Sequence, residues 1–214
     1  NHVAFIMDGN GRWGLKKKRG RNFGHLKGVE TVKKIVKSSI ELNIPIITFY
    51  VFSSENWKRP KKEVSFLFKL INMYFTQEIK NIISQGIRIN IMGEIKLLSS
   101  TLRNLLNKTM FLTKNNKKII VNLAINYGSK NEILNAIKKT KKKLSIKNLE
   151  KNFYISDLPS PDILIRTGGH QRLSNFMLWQ LAYTELFFLQ KLWPDFKKVD
   201  LIKVMQKYKK IQRN

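Results

Sequence analysis

The chain has 214 residues, which favours one domain, and its 43% apolar and 26% charged residues are typical of a globular protein with its own core. Since it has no cysteine, disulfide scaffolds, zinc–thiolate sites, iron–sulfur clusters and thiol catalysis are excluded. Lys and Arg number 41 against 14 Asp and Glu, a net charge of +27, and no apolar run is long enough to span a membrane.

The hydrophobic pattern predicts strands that alternate with helices. Such an alternation is typical of βαβ units, so we expect an α/β fold with a mainly parallel central sheet flanked by helices. We expect a single domain over residues 1–214, with trimmed termini because the chain begins at Asn1 rather than Met. In chain order the pattern predicts a strand at 2–7, a helix at 24–42, strand 46–52, helix 64–83, strand 87–92, a helix from Ser99 or Ser100 to about 112, strand 119–125, helix 131–143, strand 162–165 and helix 200–212.

The basic charge has two interpretations. A basic nucleic-acid-binding domain would explain it, but such surfaces favour Arg, and here 32 Lys outnumber 9 Arg. With 20 Asn and 25 Ile, this is the excess that an AT-rich coding sequence produces whatever the function. The lysines therefore indicate solvated helix faces, or else a field that recruits anionic substrates or an anionic membrane surface. We expect no nucleic-acid partner.

Three polar segments follow directly after predicted strands. The first segment is residues 8–13, the second segment is residues 53–59, and the third segment is residues 166–174. In an open parallel sheet the carboxyl ends of the strands form the edge where ligands bind. We therefore expect these distant segments to meet at one edge of the sheet.

The first segment reads Asp-Gly-Asn-Gly-Arg-Trp. Its two glycines let backbone amides approach an anion closely, and Arg12 adds a forked donor for phosphate oxygens. Asp8 is a natural ligand for Mg²⁺, which prefers a carboxylate together with phosphate oxygens. Arg21 and His25 follow at the start of a helix, whose N-terminus favours anions. An ordinary turn is the alternative interpretation.

The second segment carries Ser-Ser-Glu-Asn with a tryptophan and an arginine beside it, which would be unusual for a simple connection, although a capped turn is the alternative. Glu63, at the start of the next helix, also suits the helix dipole.

The third segment places Arg166 and Arg172 around a Gly-Gly turn and ends at Ser174. This set of side chains suits a diphosphate, and a charged loop is the alternative. Glu185 is the single acid of the apolar stretch 176–189, where a carboxylate needs a partner or a metal.

Several common catalytic signatures are missing from the sequence. It has no Asp-Asp-x-x-Asp, which excludes the aspartate-rich metal sites of all-helical isoprenoid synthases. It also has neither a P-loop motif nor the Gly-x-Ser-x-Gly turn of hydrolases.

Together, the three segments resemble the cis-prenyltransferases, specifically undecaprenyl diphosphate synthase-like enzymes. The resemblance covers nearly the whole chain and keeps its motifs in order. These motifs are HVAFIMDGNGRW at 2–13, GRNFGH at 20–25, YVFSSENW at 50–57, NYG at 126–128, IRTGG at 165–169, RLSNFMLWQ at 172–180, AYTELFF at 182–188 and WPDF at 193–196.

The resemblance implies a parallel sheet with an apolar tunnel, in a homodimer. The implied reaction is repeated condensation of isopentenyl diphosphate onto an allylic diphosphate such as farnesyl diphosphate, with a cis double bond formed at each step. The product would be a long-chain polyprenyl diphosphate such as undecaprenyl diphosphate, a lipid carrier precursor for cell-wall or glycan synthesis. A cytoplasmic enzyme with peripheral contact at the membrane surface is expected.

The resemblance also implies roles for individual residues. Asp8 would hold Mg²⁺ and assist departure of the diphosphate, Glu185 would contribute to Mg²⁺ binding, and Asn56 would take part in proton removal from the isopentenyl unit. The allylic diphosphate would bind at the first segment with Arg21 and His25, and isopentenyl diphosphate would bind at the third segment. The expected substrate-binding residues are Gly9, Asn10, Gly11, Arg12, Trp13, Arg21, His25, Ser53, Ser54, Glu55, Trp57, Arg59, Glu63, Arg166, Arg172, Leu173 and Ser174. The expected tunnel residues are Val29, Val51, Phe66, Leu70, Ile89 and Ile91, and a place in the ordinary core is the alternative interpretation for most of them.

One position departs from the family pattern, since His170 stands where many relatives carry an acid. A different pH sensitivity would follow if this position tunes Mg²⁺ or substrate exchange. A non-catalytic partner subunit of a heteromeric prenyltransferase is a further alternative. Such a subunit should lack Asp8 and Asn56, and both are present.

Overall fold

The computed structural model describes residues 1–141 and 143–211. Its centre is a six-stranded sheet in the order β3-β4-β2-β1-β5-β6, and all five neighbouring pairs are parallel. The strands are β1 (His2–Ile6), β2 (Ile46–Ser53), β3 (Ile87–Met92), β4 (Ile119–Tyr127), β5 (Ile163–Arg166) and β6 (Glu185–Phe188). The helices are α1 (Asn10–Lys16), α2 (Gly20–Glu41), α3 (Lys61–Ser84), α4 (Ser100–Thr113), α5 (Ser129–Lys139), α6 (Ile146–Glu150) and α7 (Lys198–Lys209).

The sheet is buried on both faces, which is why its strands are nearly continuous apolar runs. Successive residues of a strand point to opposite faces, and β1 shows the consequence. Val3 and Phe5 belong to the larger core, which includes Ile35 of α2 and Phe75 of α3. Ala4 and Ile6 belong to a second cluster on the opposite face, with Phe176, Met177 and Leu181 among its members. The predicted α/β architecture is therefore confirmed.

Three elements were not expected from the sequence: α1, α6 and β6. The first of them lies in the Gly-rich segment, where intrinsic helix propensity is low. Glycines on both sides of its contact with α2 are explained by packing, because a Cβ at Gly14 of α1 would overlap the carbonyl oxygen of Gly20, and one at Gly24 of α2 would overlap that of Asn10. The close approach of α1 to α2 brings the first segment next to Arg21.

Several helix boundaries also differ from the prediction, most of all where α2 begins at Gly20 rather than 24 and α3 at Lys61 rather than 64. α5 ends at Lys139, before the expected 143, and α7 covers Lys198–Lys209 rather than 200–212. Residues 142 and 212 lie outside the described residues. Short 3₁₀ turns occur at Ser54–Lys58, Ile95–Leu97 and Trp193–Asp195.

A row of polar side chains crosses the interior of the sheet from β1 to β3. His2 Nε2 lies 2.7 Å from Thr48 Oγ1, and Asn122 Nδ2 donates to the same hydroxyl at 2.9 Å. Asn90 Nδ2 then donates to Asn122 Oδ1 at 2.9 Å. Burial lowers the pKa of His2 to about 4, so the imidazole is neutral in this row at neutral pH.

Over the described ranges 1–141 and 143–211, no helix combines the length and apolar character needed to cross a membrane.

Candidate active site

The three polar segments meet at the carboxyl edge of the sheet, as predicted. They enclose a pocket of about 630 Å³. Its wall contains ten of the residues expected to bind substrate or catalyse: Asp8, Asn10, His25, Ser53, Glu55, Asn56, Arg59, Arg166, Arg172 and Ser174. The wall also contains Tyr50, His170 and Asn175.

Asp8 lies between two arginines. Arg12 Nη2 donates to its Oδ1 at 3.2 Å, and Arg166 Nη2 donates to its Oδ2 at 3.1 Å. The backbone around it is also held, because Thr167 Oγ1 donates to the Asp8 carbonyl oxygen at 2.8 Å and Arg12 donates to the Gly168 carbonyl oxygen at 2.8 Å. The first and third segments are thus joined at a carboxylate that faces the pocket.

Arg166 is the buried member of this pair, with only 4% of its surface exposed. Besides Asp8, its guanidinium donates to Ser174 Oγ at 2.8 Å and to the carbonyl oxygen of Arg172. The buried Nε has no hydrogen-bond partner in the structure. Because its rotamer is fixed from several sides, Arg166 presents a preorganised positive charge to anything bound beside Ser174.

Glu63 is the centre of a second charged cluster. Its carboxylate accepts from Arg21 Nε at 3.1 Å and from Arg59 Nη1 at 3.0 Å, and it lies 3.1 Å from His25 Nε2. Burial raises the pKa of Glu63, but the hydrogen bonds from Arg21 and His25 outweigh it and leave the pKa below its ordinary value. Burial lowers the pKa of His25 despite the bond to Glu63. The cluster therefore holds an ionised carboxylate beside a neutral imidazole at neutral pH.

The same geometry describes the place of Glu63, which was expected among the substrate-binding residues. Glu63 is not part of the pocket wall, since three cationic or polar side chains cover its carboxylate. It lies behind His25 and Arg59 and orients them, rather than contacting a ligand directly. The sequence could not distinguish these roles because both place an acid at the start of α3.

Asn56 lies in the 3₁₀ turn that follows β2. Its Oδ1 accepts the backbone N–H of Ser53 at 3.1 Å and completes a capping box with the Ser53 side chain. The neighbouring Trp57 turns away from the pocket wall, and its Nε1 donates to Asn126 Oδ1 at 2.8 Å. Its ring packs against Phe68 with a centroid separation of 5.2 Å. The turn that carries Asn56 is thus fixed by the bond to Ser53 on one side and by the contacts of Trp57 on the other.

An apolar cavity of about 110 Å³ continues from the polar pocket between α2, α3 and the sheet. Met7, Asn10, His25, Val51 and Leu67 line both spaces. The helix α3 contributes a stripe at helical spacing, which is Leu67, Leu70, Ile71 and Tyr74.

Half of the expected tunnel residues line this cavity, namely Val29, Val51 and Leu70. The other three do not. Phe66 lies one position off the α3 stripe, so it points in another direction, and Ile89 and Ile91 of β3 pack with the larger core instead. These three residues do not line the cavity, and the core alternative applies to Ile89 and Ile91; periodicity could not decide this, because it separates buried from exposed residues but not cavity from core.

Glu185 is not brought to the pocket of its own chain. It is the first residue of β6 and pairs with Ile163, whereas Arg166 and Asp8 lie at the carboxyl ends of β5 and β1. Three residues of strand separate the Ile163 level from the Arg166 level, about 10 Å. This position separates Glu185 from Asp8 of the same chain, and the expected contribution of Glu185 to Mg²⁺ binding stays a prediction.

Other expected contacts lie beside the pocket rather than in its wall. The Gly11 backbone lies under the Arg21 guanidinium, and a Cβ there would come within 2.8 Å of Arg21 Cζ. Trp13 donates through Nε1 to Asp195 at 2.8 Å, and Leu173 packs with the second hydrophobic cluster. The expected residues outside the wall are Gly9, Gly11, Arg12, Trp13, Arg21, Ser54, Trp57, Glu63 and Leu173.

Two wall residues with hydrogen-bonding side chains, Tyr50 and Asn175, were not expected from the sequence. Tyr50 stacks on Phe176 at 4.4 Å between ring centroids, and its hydroxyl donates to the carbonyl oxygen of Ser174 at 3.2 Å. Asn175 donates through Nδ2 to Glu55 Oε1 at 2.7 Å. The one available signal for Asn175 was its place in the RLSNF motif, where it is a polar residue directly after Ser174.

The donor set at Asp8 fits Mg²⁺ through one carboxylate. In the part of the chain that the structure describes, no three His, Asp or Glu side chains form a metal cage. Such a cage is not required, because Mg²⁺ in phosphate sites keeps several waters and uses one or two carboxylates plus substrate oxygens. Asp8, at the wall of a pocket with Arg166 and Arg172, matches that arrangement.

The chain is similar over its full length to known prenyltransferases. A family model described as "Putative undecaprenyl diphosphate synthase" matches residues 6–214. An isoprenyl transferase of Rickettsia felis is 43% identical over 216 residues, which cover 99% of this chain and 92% of that protein. One from Oceanobacillus iheyensis is 42% identical over 223 residues, covering 100% of this chain and 88% of that protein.

Solved structures give the same result. Lavandulyl diphosphate synthase from Lavandula x intermedia, crystallised with dimethylallyl diphosphate, superposes with a TM-score of 0.95 at 32% identity, covering 100% of this chain and 97% of that one. A "probable undecaprenyl diphosphate synthase" from Campylobacter jejuni has a TM-score of 0.85 at 32% identity, covering 100% and 96%.

Proposed function

Because this chain belongs to the undecaprenyl diphosphate synthase family of prenyltransferases, we propose that it condenses isopentenyl diphosphate onto an allylic diphosphate, such as farnesyl diphosphate, with cis geometry. The product would be a long-chain polyprenyl diphosphate such as undecaprenyl diphosphate, a lipid carrier precursor. One observation carries the proposal: a polar pocket with Asp8 between two arginines opens into an apolar cavity. This combination suits a substrate with a charged head and a growing hydrocarbon tail.

The allylic diphosphate is assigned to the first segment, with Arg21 and His25 nearby. The relative crystallised with dimethylallyl diphosphate supports an allylic ligand for this fold. Asp8 would hold Mg²⁺, which when bound neutralises the charge that develops on the departing diphosphate. Arg12 and the α1 backbone would bind the same oxygens, since a guanidinium pairs with phosphate through two parallel hydrogen bonds.

Isopentenyl diphosphate is assigned to Arg166, Arg172 and Ser174 of the third segment. Arg166 is preorganised by Ser174 and Asp8, so it needs little rearrangement to bind an anion. This places the two diphosphates on either side of Asp8.

In the reaction a carbon–carbon bond forms with the π electrons of the isopentenyl double bond, the allylic C–O bond breaks, and the C–H bond that breaks supplies the electron pair of the new double bond. The terminal carbon of isopentenyl diphosphate bonds to the first carbon of the allylic chain, whose diphosphate leaves with the electron pair, and a proton is lost from the isopentenyl unit. The carboxamide of Asn56 is not basic at neutral pH, and its Oδ1 already accepts from Ser53. Asn56 therefore orients the isopentenyl unit, and a phosphate oxygen of the released diphosphate takes the proton.

The growing chain is assigned to the apolar cavity. Each buried methylene stabilises the bound product by about 0.8 kcal/mol, so a wall of aliphatic and aromatic side chains is sufficient for binding. Val29, Val51 and Leu70 would contact the first isoprene units.

Assembly and location are further parts of the proposal. The edge strand β6 has an open side, with Leu186 42% exposed and the nearby Tyr183 99% exposed, which supports a homodimer along this edge. The net charge of +27 supports a cytoplasmic enzyme with peripheral contact at an anionic membrane surface.

The test is a transfer assay with purified full-length protein, farnesyl diphosphate, labelled isopentenyl diphosphate and Mg²⁺. We expect extractable products that lengthen in five-carbon steps, loss of transfer on chelation, and recovery when Mg²⁺ is restored. Absence of transfer to any allylic diphosphate, together with salt-dependent binding of RNA or DNA on a filter, would instead support the nucleic-acid alternative.

A further inference from the structure

Asn175 connects three parts of the pocket through one side chain and its own backbone. Its Nδ2 donates to Glu55 Oε1 at 2.7 Å, on the turn that carries Asn56. Its Oδ1 accepts the backbone N–H of Lys130 at 3.0 Å, and its carbonyl oxygen accepts that of Ser129 at 2.8 Å. Both of these donors lie in the first turn of α5, so Asn175 ties the end of the third segment to a helix and to the second segment.

The backbone at this point is held in an unusual conformation. Ser174, Asn175 and Met177 all have positive φ, at 51°, 61° and 46°. Asn tolerates this left-handed region better than most residues. Phe176 and Met177 are fully buried and anchor the loop in the second hydrophobic cluster. The position of Ser174 therefore depends on residues directly after the segment itself.

The motif Asn126–Gly128 provides the surface on which the two segments meet. Gly128 has an ordinary extended φ, but a Cβ there would come within 2.5 Å of Ser54 Oγ and 2.8 Å of Asn175 Nδ2. Asn126 holds Trp57 from the other side, through the bond of 2.8 Å to its indole. Ser54 of the second segment and Asn175, directly after the third segment, thus both pack against Gly128.

We propose that Asn175 is a positioning residue that sets the separation between the turn carrying Asn56 and the loop carrying Ser174. The proposal rests on the proposed function, because it assumes that isopentenyl diphosphate binds between these two segments. The reactive geometry of two bound substrates is sensitive to shifts of about 1 Å. Releasing the Glu55–Asn175 contact should therefore weaken the binding of isopentenyl diphosphate more than the binding of the allylic substrate.

The structure allows a test in which donor and acceptor are exchanged. Asn175→Asp keeps the size, the tolerance of positive φ and the acceptor for Lys130 N–H, but it places two carboxylates together at Glu55. Glu55→Gln turns the partner into a donor. The double variant Glu55→Gln/Asn175→Asp therefore restores one hydrogen bond with the same net charge as the wild type.

We expect Asn175→Asp to raise the KM for isopentenyl diphosphate about tenfold, with a smaller change in the KM for the allylic substrate. In the Glu55→Gln background, Asn175→Asp should raise the KM for isopentenyl diphosphate less than about threefold, because the hydrogen bond between residues 55 and 175 is regained. Asn107→Asp, at an exposed position of α4, is the matched control for the charge change and should keep wild-type kinetics. Melting temperatures are measured for all variants.

Two outcomes would overturn the proposal. One is an Asn175→Asp variant with a lowered melting temperature and wild-type KM values, which would assign Asn175 a purely structural role. The other is an equal effect of Asn175→Asp with and without Glu55→Gln, which would exclude the contact as the cause. A wild-type protein that transfers no isoprenyl unit would refute the proposed function itself, and that result is distinct from both.

Discussion

Arg166 Nη2 donates a hydrogen bond to Asp8 Oδ2 at 3.1 Å, and this contact joins residues that are 158 positions apart in the chain. Arg166 is the last residue of β5, and Asp8 follows two residues after the end of β1; the two strands are adjacent and parallel, with Ile6 paired to Arg166. The carboxylate and the guanidinium therefore meet because neighbouring strands end at the same level. The pocket is built on this pair.

Substitution of Asp8 tests the centre of the pocket. We expect Asp8→Ala to lower kcat by about 10³-fold or more, because the variant loses the carboxylate assigned to Mg²⁺. Circular dichroism should show an intact fold, since Asp8 lies beyond the end of β1. Asp157→Ala, which removes an exposed carboxylate 3.7 Å from Arg88, is the matched control and should keep wild-type turnover. Near-normal rates for Asp8→Ala would refute the assigned role.

Substitution of Arg166 separates binding from chemistry. Arg166→Ala removes charge-assisted hydrogen bonds to bound anion, so the KM for isopentenyl diphosphate should rise about 100-fold while kcat changes less. Arg166→Lys should recover little of this loss, because an ammonium cannot bridge Asp8 and Ser174 as the planar guanidinium does. Steady-state kinetics with each substrate varied in turn provides the measurement. A lysine variant with wild-type KM would show that charge alone is sufficient.

Glu63→Gln should act through its neighbours. The substitution keeps the size of the side chain but removes the charge that orients Arg21, Arg59 and His25, so the KM for the allylic diphosphate should rise about tenfold. Because Arg21 and Arg59 are partly solvated, the free energy of unfolding should fall by only about 1–2 kcal/mol. Kinetics and urea denaturation test the two effects separately. An unchanged KM would assign the cluster to stability alone.

The lowered pKa of buried His2 predicts that the stability of the fold depends on pH. Burial lowers its pKa to about 4 from 6.5, so below pH 6.5 the unfolded chain binds a proton at His2 that the folded chain does not. Unfolding free energy should therefore be constant above pH 6.5 for this group and fall by roughly 3 kcal/mol as the pH drops to 4. The lowered pKa of His25 acts in the same direction.

The measurement is urea denaturation between pH 7.5 and 5, a range above the carboxylate titrations. His2→Gln can still hydrogen-bond Thr48 but does not titrate, so its stability should depend less steeply on pH than that of the wild type. Asn107→Ser, at an exposed site, should keep the wild-type slope. Equal slopes for His2→Gln and the wild type would exclude His2 as the source.

Much of the architecture could be predicted from local pattern. The continuous apolar runs of β1, β2 and β4 identify buried strands, and the helical spacing in α2 and α3 identifies their flanking helices. Since parallel strands end at a common edge, even the meeting of the three polar segments could be predicted from their positions directly after strands. The failures are equally local in origin: α1 has weak helix propensity, and β6 lies within the long apolar stretch 176–189, where no change of pattern marks its ends.

The residue types of the pocket could thus be predicted from the sequence itself: Asp8, the arginines and Ser174 were predicted to suit Mg²⁺ and phosphate groups by residue type and by position after strands, and Asn56 was predicted from the family resemblance. Only the tertiary structure decided which of them face the pocket and which act from behind it. Glu63 orients three neighbours, and Glu185 lies at the amino end of β6, away from the carboxyl ends of the strands. Asn175 connects the loop after Ser174 to Glu55 of the second segment. These assignments depend on side-chain direction and contacts between residues up to 120 positions apart, and a one-dimensional pattern carries no information about either.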